Sequence, residues 1–171
     1  YAALEELLVR ADRWDEAALV IEQRALVLDD EHQRRDALMQ AAALWEDRLG
    51  DLGRAAELYE RLRAADAGDA LVSERLEAIY RQQQKWAELV EVLLERSESL
   101  AEVEQQIQVL HDVAGVYEGE LGDEESAFYV LQAAFNRDHA HAQTVRELER
   151  LATAAPRWPE LLEEDVKRAG E

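Results

Sequence analysis

No cysteine occurs in this chain, which excludes disulfides and thiolate-ligated metals and suits a reducing compartment. Proline is almost as scarce. Pro156 and Pro159 are the only two, and only seven glycines interrupt a sequence dominated by Ala, Leu, Glu and Arg. Those four residue types lose least on entering a helix, so an all-α protein is expected. No apolar run approaches the roughly 18 to 20 residues that span a bilayer, and no basic stretch with an apolar core opens the chain. Positive charge is sparse as well: 19 basic against 39 acidic residues give a net charge of −20, which repels nucleic-acid phosphates and anionic lipid surfaces. Glycine-rich phosphate loops, His-Glu-x-x-His helices, Gly-x-Ser-x-Gly turns and calcium loops are missing too. Carboxylates are so abundant that pairing two as acid and base would be arbitrary. The chain is therefore expected to be no enzyme and to take no cofactor, metal, nucleic acid or membrane. It reads as an acidic segment of a larger bacterial protein in the cytoplasm, because Tyr1 already stands inside a helical pattern.

What the sequence does have is an internal repeat. Trp14, Trp86 and Trp158 are each 72 residues apart, and the segments before them align as YAALEELLVRADRW, SERLEAIYRQQQKW and VRELERLATAAPRW. Leu4, Leu76 and Leu148 then superpose. Independently, ALWEDRLGD at 43–51 aligns with GVYEGELGD at 115–123, so that Trp45 matches Tyr117, Gly50 matches Gly122 and Asp51 matches Asp123 at the same offset. Trp45, Tyr80 and Tyr117 fall 35 and then 37 residues apart, so each unit divides into two hairpins. Apolar residues recur at helical spacing, as in Leu38, Ala41, Ala42 and Trp45, or Ala55, Leu58, Tyr59 and Leu62. Leu49-Gly50-Asp51 and Leu121-Gly122-Asp123 mark turns in which Gly closes one helix and Asp caps the next.

These landmarks resemble the tetratricopeptide repeat (TPR) family. Gly50, Asp51, Ala55, Tyr59 and Asp66 stand at the family's spacing, and Gly122, Asp123, Ala127, Ala134 and Asp138 repeat it. The pattern is degenerate. An extra residue precedes Gly50 and Gly122, Ala67 and His139 occupy the closing-proline slot, and the alternate hairpins carry Gln84 and Leu89 where the turn glycine and small residue belong. The resemblance implies a right-handed α-solenoid of antiparallel hairpins, read as one domain over 1–171 with hairpins at 1–28, 32–66, 69–100, 103–137 and 140–169. Ten helices are expected, at 2–11, 14–28, 32–49, 52–66, 69–83, 86–100, 103–121, 124–137, 140–154 and 157–169, with the break between Arg96 and Gln105 the least marked.

The family binds along a groove lined by the first helix of each hairpin. Carried over, its groove positions are Glu6 and Arg10; Met39, Ala43 and Glu46; Glu74, Ala78 and Arg81; His111, Gly115 and Glu118; and Arg146 and Arg150. The resemblance thus implies a scaffold for a protein or peptide partner, which the acidic surface would favour as a basic one. A structural spacer or self-assembly element, associating through its terminal hairpins, is the alternative. The Lys, Asn and Arg clamp that some members use for a terminal carboxylate is not present, since Met39, Ala43, Glu74 and Ala78 stand there. Asp138-His139-Ala140-His141 reads as a polar turn, His32 and His111 as isolated, and Trp14, Trp86 and Trp158 as packing residues.

Overall fold

The computed structural model describes residues 1–154, and the chain falls into two compact units, Tyr1–Lys85 and Trp86–Glu171. The first holds α1 (Ala2–Arg10), α2 (Trp14–Val27), α3 (Glu31–Asp47), α4 (Leu52–Ala65) and α5 (Ala70–Gln83). The second holds α6 (Trp86–Ser99), α7 (Val103–Val116), which runs on as a π-helical segment (Tyr117–Leu121), then α8 (Glu124–Arg137) and α9 (Ala142–Ala154). Among the described residues there is no strand. Within each unit every helix packs on the next one in the chain, the hallmark of a helical-repeat stack. The interruption between Arg96 and Gln105 is real, since α6 ends at Ser99 and α7 begins at Val103. The expected hairpin 69–100 contributes α5 to one unit and α6 to the other. The tenth helix expected at 157–169, with Pro156, Trp158 and Pro159, lies outside the described residues.

The helix boundaries follow from local chemistry. Asp30, Asp51, Asp69 and Asp123 each accept a backbone N–H from the first turn of the helix that follows, at Gln33, Arg54, Leu71 with Val72, and Ser126 respectively. Each cap satisfies an otherwise orphaned donor and contributes about 1 kcal/mol. Gly50 and Gly122 sit at φ of 66° and 64°, in the left-handed region where a side chain is disfavoured. The extra residue before each glycine is absorbed by wider winding: Leu49 N–H bonds to Leu44 O, and Asp51 and Asp123 N–H reach back to Trp45 and Tyr117 O. At the corresponding turns of the alternate hairpins, Asp12 and Gln84 adopt the same left-handed backbone without glycine, at φ of 55° and 56°.

Alanines bring the helices together. Ala17, Ala18, Ala37, Ala41, Ala42, Ala55 and Ala127 are wholly buried, so the helices meet with little side chain between them. Ile21, Leu76 and Ile79 fill the first unit, and Leu89, Leu93, Ile107, Val113 and Phe128 the second. Each of these large side chains contributes about 1.5–3 kcal/mol by leaving water. The tryptophans do not belong to that set. Trp14, Trp45 and Trp86 are half-buried, with Arg48 over the ring of Trp14 and Arg54 over that of Trp45. Their amphipathic rings line the boundary between core and water rather than fill the core.

Candidate functional site

The first-of-hairpin helices are α1, α3 and α5 in one unit and α7 and α9 in the other, and the expected groove residues divide accordingly. On α1, Glu6 and Arg10 are exposed and pair with each other. On α3, Met39, Ala43 and Glu46 are half-buried, whereas Glu74, Ala78 and Arg81 on α5 are exposed. Arg81 is engaged by Glu77, one turn back. Glu46 is the structured member of this group: the Tyr59 hydroxyl donates to it at 2.9 Å and Arg75 from α5 at 3.2 Å. Burial, reinforced by the Glu46 carboxylate, pushes the Tyr59 phenol well above its ordinary range. Beyond this, Arg35 of α3 is bound to Asp69, the cap of α5.

In the second unit, four expected residues meet around one open cleft of about 270 Å³. From α7 and its π-helical extension come Gln108, His111, Asp112, Gly115 and Glu118; from α9 come Gln143, Glu147 and Arg150; Leu131 of α8 contributes an apolar side chain. Arg146 is exposed and is not among the cleft residues. One end of the cleft is tied by Arg150, whose two terminal nitrogens donate to the two Glu118 oxygens at 2.8 and 2.6 Å while its Nε donates to Glu147 at 2.8 Å. The Arg150 guanidinium holds the Glu118 carboxyl below its usual range. With all three of these bonds made, Arg150 is not a free anion receptor.

The other end is tied by histidine. His111 Nε2 lies 2.8 Å from the Thr144 hydroxyl, and His141 Nδ1 lies 2.7 Å from the same oxygen. Thr144 is fully buried. His141 lies at the N-terminus of α9, where its Nδ1 accepts the Thr144 N–H at 3.3 Å, so the segment 138–141 is a polar turn as expected. His111 is not isolated, however: its ring centroid is 5.7 Å from that of His141. Burial, followed by the neighbouring His141, lowers its pKa from the ordinary histidine value.

The sequence reading missed Thr144, His141 and Arg75 as members of these constellations. The available signal was the spacing of contacts between successive first helices: His111 to Thr144 spans 33 residues and Glu118 to Arg150 spans 32. Among the described residues no group of three or more His, Asp or Glu could hold a metal ion, and no helix is long and apolar enough to cross a membrane.

No family model matches the sequence, and no curated protein matches it. Among solved structures, the nearly identical TPR-like repeats assigned to a kinesin light chain of Podosopora anserina align at a TM-score of 0.50 and 21% identity, covering 94% of this chain and 89% of that one. MamA from Desulfovibrio magneticus RS-1 aligns at a TM-score of 0.49 and 15% identity, over 98% and 90% of the two chains. The likeness to the kinesin light chain repeats shows the fold alone.

Proposed function

Given that the chain is a TPR-like helical-repeat protein, we propose that it is a scaffold that binds a protein or peptide partner, and that the α7–α9 cleft is a contact surface for it. Gly115 carries this reading. It stands inside α7, where glycine costs about 1 kcal/mol relative to alanine, yet a Cβ added there would meet nothing within 4 Å. Packing within the chain therefore does not require glycine. Its absent side chain leaves the helix backbone open to close approach by another molecule. The cleft also selects by charge: Asp112, Glu118 and Glu147 face Arg150, three carboxylates against one guanidinium, which favours a partner that brings lysine or arginine.

A pulldown with the chain at low and high salt tests this reading. Retention of a basic partner at low salt and its release at high salt supports it; no retained partner at low salt counts against it.

A second reading, self-assembly through the N-terminal hairpin, is favoured by one observation. Leu4 and Leu7 on α1 are 49% and 62% exposed, while residues at the same repeat positions are buried, Leu76 and Ile79 to 0% and 1%, and Leu148 and Leu151 to 8% and 1%. The later pairs belong to helices that pack on α4 and α8; among the described residues no helix packs on the same apolar face of α1. Sedimentation of the wild-type chain beside Leu4→Glu/Leu7→Glu distinguishes the readings. Concentration-dependent association abolished by the substitutions favours self-assembly, and a monomer at all concentrations rejects it. Treating residues 1–171 as one repeat domain belongs to the same proposal, and rests on the uniform register of the repeat.

A further inference from the structure

We propose that His111, Thr144 and His141 form a proton-sensitive latch at the start of α9, in which a neutral His141 caps the first turn and loses that cap when its Nδ1 takes up a proton. The directions of its hydrogen bonds are fixed by the helix cap. His141 Nδ1 accepts the Thr144 backbone N–H at 3.3 Å, so that nitrogen carries no proton, and the Thr144 hydroxyl, 2.7 Å away, donates to it as well. The hydroxyl proton being thus committed, Thr144 Oγ1 accepts at 2.8 Å from His111 Nε2–H. The chain of donors runs from α7 through a fully buried hydroxyl to the N-terminus of α9, and both rings are neutral Nε2–H tautomers.

A proton on His141 Nδ1 converts the acceptor into a donor. It removes the backbone cap and reverses the bond to the Thr144 hydroxyl, whose oxygen then accepts, and it puts positive charge at a helix N-terminus, where the dipole opposes it. A proton on His111 charges a half-buried ring beside a second imidazole. The groups facing the pair are Glu104 and Asp112 on α7, and Glu147 on α9, with Glu104 3.8 Å from His141 Nε2. On this side α8 presents Leu131, and its Arg137 is engaged with Gln106 and the Ala133 carbonyl. These carboxylates favour a charged His111, but burial and His141 outweigh them and its pKa is lowered. A histidine depressed in the folded state adds stability that is complete above the ordinary histidine pKa and is lost as pH falls below it.

The repeat supplies the inert counterpart. At the equivalent positions, 72 residues earlier, His111, Thr144 and His141 are Met39, Val72 and Asp69. There an aspartate caps α5 and no imidazole participates. The second unit has thus replaced a permanent cap with one that depends on protonation, beside the cleft read above as the partner site. The regulatory meaning of the latch rests on that reading, but the latch is measurable with no partner present.

The test is a nuclear magnetic resonance titration of the chain from about pH 7.5 to pH 5, spanning the histidine range, with amide exchange followed at Thr144 and Val145. Both imidazoles are expected as Nε2–H tautomers at the upper end, with His111 titrating below the ordinary histidine value. Exchange at Thr144, relative to its intrinsic rate, should rise by about tenfold or more at the lower end, the equivalent of about 1.4 kcal/mol of lost protection. The triple variant His111→Met, Thr144→Val, His141→Asp, which installs the first unit's aspartate cap, should lose this pH response. An Nδ1–H tautomer at His141, or Thr144 protection that is independent of pH in the wild-type chain, overturns the proposal and leaves the partner-binding reading untouched.

Discussion

Glu118 and Arg150 are joined by two parallel hydrogen bonds at 2.8 and 2.6 Å, between the π-helical end of α7 and the middle of α9. Glu46, at the equivalent position of the first unit, is instead held by Arg75 and the Tyr59 hydroxyl. By the repeat offset of 72, Arg75 corresponds to Glu147 and Ala78 to Arg150. The cation has therefore moved about one helical turn along the first helix of the next hairpin, and a glutamate has taken its former place. Both units keep a carboxylate bridged between neighbouring first helices. Only the second gains the additional acid that leaves its cleft negative.

Arg150→Ala should lower stability in urea by about 0.5–1 kcal/mol at neutral pH, a modest figure because both partners are partly exposed and screened by water. Glu118 is depressed by this pairing, so its contribution is complete above the ordinary glutamate pKa and disappears as pH falls through the folded value. The wild-type and variant curves should converge in acid. A constant difference down to about pH 2, below the ordinary carboxylate range, would assign the effect to packing of the arginine stem.

Tyr59→Phe should cost about 1–2 kcal/mol, because Tyr59 is 1% exposed and its hydroxyl is a buried donor to Glu46. The phenol is raised, so the late-ionising part of an alkaline absorbance titration should shrink by one tyrosine in Tyr59→Phe. An unchanged late phase in Tyr59→Phe would refute the assignment.

Gln84→Gly should raise the unfolding free energy by about 0.5–1 kcal/mol, because position 84 already has a left-handed backbone at φ of 56°. The mirror-image experiment, Gly122→Ala at φ of 64°, should lower it by a similar amount. Urea midpoints at constant slope check both.

Phe128→Ala should cost about 3–5 kcal/mol, whereas Trp86→Ala should cost clearly less. Phe128 is 1% exposed within a cluster that includes Ala127, Leu131, Leu148 and Leu151, while Trp86 is only half-buried. Equal losses would mean that the tryptophan is a core residue after all.

Most of the architecture could be read from the sequence because helical repeats encode it locally. Gly50 with Asp51 and Gly122 with Asp123 are strong stop-and-cap signals, and the helix ends they predict lie within a few residues of those observed. Even the weakly marked break before Val103 was legible, through its repeat counterpart at Asp29-Asp30. Burial of the tryptophans was less so: periodicity reports which face a side chain occupies, while depth depends on how close the next helix comes. The site was half legible. His111, Gly115, Glu118 and Arg150 do share a cleft, but the ties from His111 to Thr144 and from Glu118 to Arg150 depend on side-chain reach across helices more than 30 residues apart in sequence.

Gly115 supports the most direct measurement of the central claim. Gly115→Ala should stabilise the chain by about 0.5–1 kcal/mol, since a Cβ there enters open space, and Gly115→Trp puts an indole at the cleft, with its helicity checked against the wild-type chain. Partner retention in pulldowns should survive the alanine and be lost with the tryptophan. Equal retention by the wild-type chain and a folded Gly115→Trp variant would contradict the account, and would move the partner away from the α7–α9 cleft.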